Sequence, residues 1–164
     1  MDDKMELTRD ILIPSFVLHP SYAMLHLAVI DICKLIATEQ NINTIVAPIR
    51  GGLLFGVVAS HMLKLPLVCA NYSSKRGMGD DKNHKNTLPK VKAKSTVLIV
   101  DDIADSGHTL YEIKEHYEKK GCTVITAVFH FKQGSIITPD YFWWHIPNDS
   151  PFIDYPYELV GGDL

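Results

Sequence analysis

Apolar positions along the chain follow two alternating periods. From Ser21 to Gln40, Leu25, Val29, Ile32 and Ile36 recur at helical spacing, widened by Ala28 and Leu35, which predicts a helix covering a sheet. Thr44–Ile49 is β-rich and nearly uncharged, as a strand buried on both faces is. Arg50, Gly51 and Gly52 interrupt it, Leu53–Leu65 returns to helical spacing, and Pro66 marks the end of that helix before a second β-like run, Leu67–Tyr72. Ser95–Val100 reads as a strand, Thr109–Lys120 as a helix stopped by Gly121, Thr123–Phe131 as a strand and Tyr141–Ile146 as a further one. Strand, helix, strand with short joints is the βαβ pattern. It predicts an α/β fold with a mostly parallel sheet flanked by helices and right-handed crossovers.

Two stretches fall outside the periodicity. Ser73–Lys94 is polar, holds Gly77, Gly79, Asp80, Asp81 and several lysines, and is too long for an ordinary connection. The tail from Pro147 is rich in Pro, Asp and aromatic residues without a clear period. The 164 residues fit one domain, 1–164. At 46% hydrophobic and 21% charged, the chain is too apolar for disorder and too interrupted by charge for a membrane span. A net charge of −3 provides no global positive field for a nucleic acid, which leaves room only for a local anion site. Met1–Asp10 lacks the apolar core of a secretory signal, and Cys33, Cys69 and Cys122 are odd in number and widely spaced. These features point to a reducing cytoplasm without a disulfide framework or structural zinc.

Chemistry concentrates in Val97–Leu110, VLIVDDIADSGHTL, where an apolar strand runs into Asp101 and Asp102, then a small-residue turn, then a helix. Open α/β sheets bind ligands beyond the carboxyl ends of their strands, where this pair emerges. Two adjacent carboxylates repel unless a cation or hydroxyl donors compensate, which suits a polyhydroxylated ligand carrying a divalent metal. The competing reading is a solvent-facing acidic turn. Asp105, Ser106, Gly107, His108 and Thr109 combine small size, backbone freedom and hydroxyls, and amides at the start of the following helix suit a phosphate. Capping of that helix by Asp105 or Ser106 is the structural alternative. Neither a nucleotide-triphosphate loop nor a dinucleotide fingerprint is present.

In this setting the stretch resembles the ribose-phosphate signature of type I phosphoribosyltransferases: four apolar residues, an acidic pair, a short spacer, then Ser or Thr, Gly, any residue and Thr. The resemblance implies that 5-phosphoribosyl 1-pyrophosphate is the ligand. Asp101 and Asp102 then recognise the ribose hydroxyls directly or through Mg2+, Asp105 through Thr109 surround the 5-phosphate, and Asp105 is the acid-base group. Arg50 and Gly51, after the first strand, take the place of the pyrophosphate loop, where the family often has a cis peptide, here Ile49–Arg50.

From about Ile45 to Glu158 the chain is most similar to bacterial xanthine-guanine phosphoribosyltransferases. That likeness assigns Lys132 to the 6-oxo group of a purine, Phe152 to stacking on the base and Ile153 to the same base site, with Tyr157 and Glu158 as an aromatic-acid pair. An aromatic face, a lysine donor and backbone carbonyls also form a physically sensible set for a planar oxo-base. Of Trp143 and Trp144, adjacent on a strand, one is expected in the core and the other at an interface. Ser73–Lys94 takes the place of the family's flexible catalytic loop, with Lys75 or Arg76 brought toward pyrophosphate on closure. The implied partners are phosphoribosyl pyrophosphate and a purine base, in a homodimer or homotetramer without integral membrane association. A noncatalytic phosphoribosyl-ligand sensor and a transferase for another base are the competing functions.

Overall fold

The computed structural model describes residues 13–72 and 86–158. A short helix, α1 (Ser15–Leu18), precedes the first element expected from the sequence. The Ser21 hydroxyl then accepts from the Met24 amide at 3.3 Å and so caps α2 (Tyr22–Glu39). This helix buries Leu25, Ala28, Val29, Ile32 and Ile36, as its spacing requires. Leu35 departs from expectation and is exposed, because Cys33 completes the buried stripe instead.

The remaining elements are β1 (Thr44–Pro48), α3 (Leu53–Leu63), β2 (Leu67–Ala70), β3 (Thr96–Ala104), α4 (His108–Glu118), β4 (Thr123–Lys132) and β5 (Tyr141–Ile146). Lys64, in left-handed conformation, ends α3 two residues before Pro66. β2 stops short of the expected Tyr72: Asn71 forms an antiparallel bridge to Thr87, and the Tyr72 hydroxyl donates to Glu112 on α4. The largest difference lies in β3, which was expected to end at Val100. It continues through the acidic pair because β4 supplies partners as far as Ile103↔His130 and Ala104↔Phe131. The carboxylates are therefore set by a paired strand rather than an acidic turn.

All pairings in the five-stranded sheet are parallel, in the order β2-β1-β3-β4-β5. From β1 the chain passes through α3 outward to β2, and from β3 it passes through α4 in the opposite direction to β4. Right-handed crossovers in opposite directions put their helices on opposite faces. Accordingly, Leu98, Val100, Ala127 and Phe129 pack with residues of α2 and α3, while Val97, Ile99, Val124 and Val128 pack with Leu110, Ile113 and Tyr117 of α4. Where the crossover direction reverses, between β1 and β3, the carboxyl ends of the strands open a crevice suited to a ligand. Trp144 turns inward against His130, ring centroids 4.8 Å apart, while Trp143 is exposed.

Candidate active site

Asp101 and Asp102 stand on β3 at this crevice. Asp101 is 8% exposed, and its Oδ1 accepts from the Asp102 amide at 3.0 Å. Asp102 is held on several sides: Oδ1 accepts from the Ile103 amide at 2.7 Å, Oδ2 from the Tyr157 hydroxyl at 3.1 Å, and its carbonyl oxygen from the Tyr155 hydroxyl at 3.0 Å. Burial pushes the pKa of both carboxyls up, and for Asp101 the charge of Asp102 adds to that push. The loop after β1 closes directly on this pair, because a Cβ on Gly51 would overlap the Asp102 carboxylate. In that loop the Ile49–Arg50 peptide is cis, as the resemblance implied.

Beyond Ala104 the chain bends through Gly107, whose φ of 79° is a left-handed conformation that glycine adopts without strain. Gly107 is the N-cap of α4, and no side chain caps the helix, so the capping reading of Asp105 and Ser106 is replaced. The first amides of α4, lacking intrahelical acceptors, are left for another acceptor. A cleft of about 210 Å³ is lined by residues 101–103 and 105–110, which brings together Asp101, Asp102, Asp105, Ser106, Gly107, His108 and Thr109.

Lys132, the last residue of β4, reaches the same loop from the neighbouring strand: its Nζ lies 3.2 Å from Asp105 Oδ1. Asp105, expected as the acid-base group, and Lys132, expected at the 6-oxo group, are therefore in direct contact. Phe152 is 78% exposed, a free aromatic face. The Ile153 side chain is buried in the core, which leaves its backbone for a ligand. Arg50 is absent from the lining of the cleft, and its charge offsets part of the upward push that burial and Asp102 exert on Glu158 in the tail. Lys75 and Arg76 lie outside the described residues.

Sequence reasoning did not find Tyr155 and His130. The Tyr155 hydroxyl lies 2.7 Å from His130 Nδ1, and His130 Nε2 lies 2.9 Å from the Val17 carbonyl, so a buried chain of polar groups ties α1 to the carbonyl of Asp102. Only the density of aromatic residues in the tail hinted at it.

The donor set suits a hard divalent cation. Asp101 is a buried carboxyl beside a second carboxylate, two oxygen ligands of the kind such an ion takes. Among the described residues no group of three or more metal-ligating side chains occurs. Mg2+ commonly takes only one or two protein carboxylates and completes its shell with water and ligand phosphates.

The sequence profile of the family described as the phosphoribosyl transferase domain matches residues 24–159, most of the chain. The chain belongs to this family. The phosphoribosyltransferase fold is matched by solved structures as well. Purine phosphoribosyltransferase from Pyrococcus horikoshii Ot3 has 24% identity and a TM-score of 0.72, covering 85% of this chain and 92% of its own. Xanthine-guanine-hypoxanthine phosphoribosyltransferase from Helicobacter pylori has 20% identity and a TM-score of 0.69, with coverage of 86% and 91%. A hypothetical protein from Neisseria gonorrhoeae with bound ppGpp has 20% identity and a TM-score of 0.65, with coverage of 86% and 88%. No curated protein matches the chain in sequence. No described helix is long and apolar enough to cross a membrane.

Proposed function

We propose that this phosphoribosyltransferase moves the 5-phosphoribosyl group of phosphoribosyl pyrophosphate onto N9 of a 6-oxopurine, guanine, xanthine or hypoxanthine, in the manner of bacterial xanthine-guanine phosphoribosyltransferases. The observation that carries the reading is the shared cleft of the acidic pair and the α4 loop, with the Lys132–Asp105 pair at its edge. The α4 amides, with Ser106 and Thr109, hold the 5-phosphate, and Gly107 lets the phosphate approach the backbone. Asp101 and Asp102 bind the ribose hydroxyls and Mg2+. Arg50 and the Gly51 amide bind the pyrophosphate. A Mg2+ ion held by the Asp101 and Asp102 carboxylates would supply charge neutralisation for the leaving pyrophosphate.

Phe152 stacks on the base, the backbone at Ile153 lies beside it, and Lys132 donates to its 6-oxo oxygen. The bond from the anomeric carbon to the pyrophosphate oxygen breaks as the bond to N9 forms, and Asp105 takes the proton lost by the base. Lys132 is poised to hold Asp105 as the acceptor, since their charged atoms stand 3.2 Å apart. The enzyme acts as one domain in a cytoplasmic homodimer or homotetramer.

The test is a Mg2+-dependent assay of purified protein against a panel of bases, following nucleotide and pyrophosphate together. Equal amounts of both with at least one 6-oxopurine are expected. No pyrophosphate with guanine, xanthine or hypoxanthine refutes the assignment. Transfer to another base would redirect it, and saturable phosphoribosyl pyrophosphate binding with no transfer to any base would favour the sensor.

A further inference from the structure

Asp102 is fixed by more of the protein than a ligand-facing carboxylate needs. Gly51 closes one side, the Ile103 amide donates to Oδ1 and the Tyr157 hydroxyl donates to Oδ2. Tyr157 itself does not line the cleft. Its ring lies nearly parallel to that of Tyr155, with centroids 5.2 Å apart and planes 9° apart. Tyr155 is buried and anchored in turn between the Asp102 carbonyl and His130. The Tyr157 hydroxyl is thus aimed by a rigid stack rather than by a mobile side chain.

We propose that Tyr157 is a positioning residue that acts through Asp102, fixing the plane of that carboxylate for the cation and ribose of the bound phosphoribosyl pyrophosphate. This role rests on the proposed function. One lone pair on Oδ2 stays available, so donor and cation can share the carboxylate. The tail is thereby part of the sugar site as well as the base site.

The test compares the wild type, Tyr157→Phe, Asp102→Asn and the double variant by calorimetric titration of phosphoribosyl pyrophosphate at a series of Mg2+ concentrations. Tyr157→Phe keeps the stacked ring and removes only the donor. It should raise the Mg2+ concentration for half-maximal binding by about 10-fold or more, the usual effect of removing a hydrogen-bond partner from a metal ligand. The KM for the base should stay unchanged, and the effect should vanish in the Asp102→Asn background. If Tyr157→Phe also melts earlier, a general loss of stability recurs in both backgrounds and overturns the role, whereas a loss through the carboxylate does not recur. Unchanged Mg2+ dependence in Tyr157→Phe overturns it directly. A wild type that binds no phosphoribosyl pyrophosphate at any Mg2+ concentration removes the proposed function itself, a result distinct from failure of the tyrosine's role.

Discussion

The acidic pair and the loop that follows it are neighbours in sequence but differ in how the protein treats them. Asp101 is buried, and Asp102 has protein donors on both carboxylate oxygens. Four residues on, the Asp105 side chain is 64% exposed with one ion pair, and α4 starts without a side-chain cap. The first region is assembled before a ligand arrives and carries the unfavourable burial of charge at all times. The second keeps its donors unused. Changes in the pair should therefore alter stability and binding together, whereas changes in the loop should alter chemistry alone.

Asp105→Asn should have the largest effect. Removing a general base commonly slows transfer by about 100- to 10,000-fold, and loss of an exposed ion pair changes stability by at most about 1 kcal/mol. A steady-state assay beside a melting curve checks both, and an unchanged kcat would remove Asp105 from the chemistry. Gly51→Ala comes next, because the added methyl group meets the Asp102 carboxylate. Overpacking of this kind destabilises by about 1–3 kcal/mol, and here it should also weaken ligand binding, both readable by denaturant titration with and without phosphoribosyl pyrophosphate.

Lys132→Met removes a donor while keeping bulk. A charged hydrogen bond contributes about 1.5–3 kcal/mol, so discrimination between 6-oxopurines and adenine should fall by about 10- to 100-fold in kcat/KM. Equal discrimination before and after the change would count against the contact.

The fold could be read from the sequence wherever one period dominated, because helical spacing in α2 and uncharged runs in β1 and β4 each leave one way to bury apolar surface. The acidic pair could be singled out as a candidate ligand site because two adjacent carboxylates at a strand end ask for compensation. That β3 continues through them could not be read, since its partners come from a strand more than twenty residues away. The Lys132–Asp105 pair and the hold of Tyr155 and Tyr157 on Asp102 are long-range contacts of the same kind, and the burial of the Ile153 side chain likewise depends on how the tail folds back.

The smallest effect is on pH dependence, and it sharpens the contrast through two buried groups of opposite sign. Burial lowers His130 from 6.5 to about 4, so the stability of its neutral form is present above about 6.5 and is lost as the pH falls toward about 4. Asp101 is shifted upward, so its neutral form favours folding below the ordinary carboxyl value, and that stability is lost as the pH rises through the raised value. Asp101→Asn should therefore raise the Tm of the ligand-free protein at neutral pH, while His130→Gln should flatten the loss of stability between about pH 6.5 and 4. Melting curves across pH read both, and a lowered Tm in Asp101→Asn would show that its charge is already compensated.

Calorimetric titration of phosphoribosyl pyrophosphate into the wild type and Asp101→Asn, each with and without Mg2+, addresses the central claim most directly. The account predicts saturable one-site binding to the wild type that requires Mg2+ and is lost in Asp101→Asn. Binding of equal strength in both proteins, or none to the wild type with Mg2+ present, would contradict it.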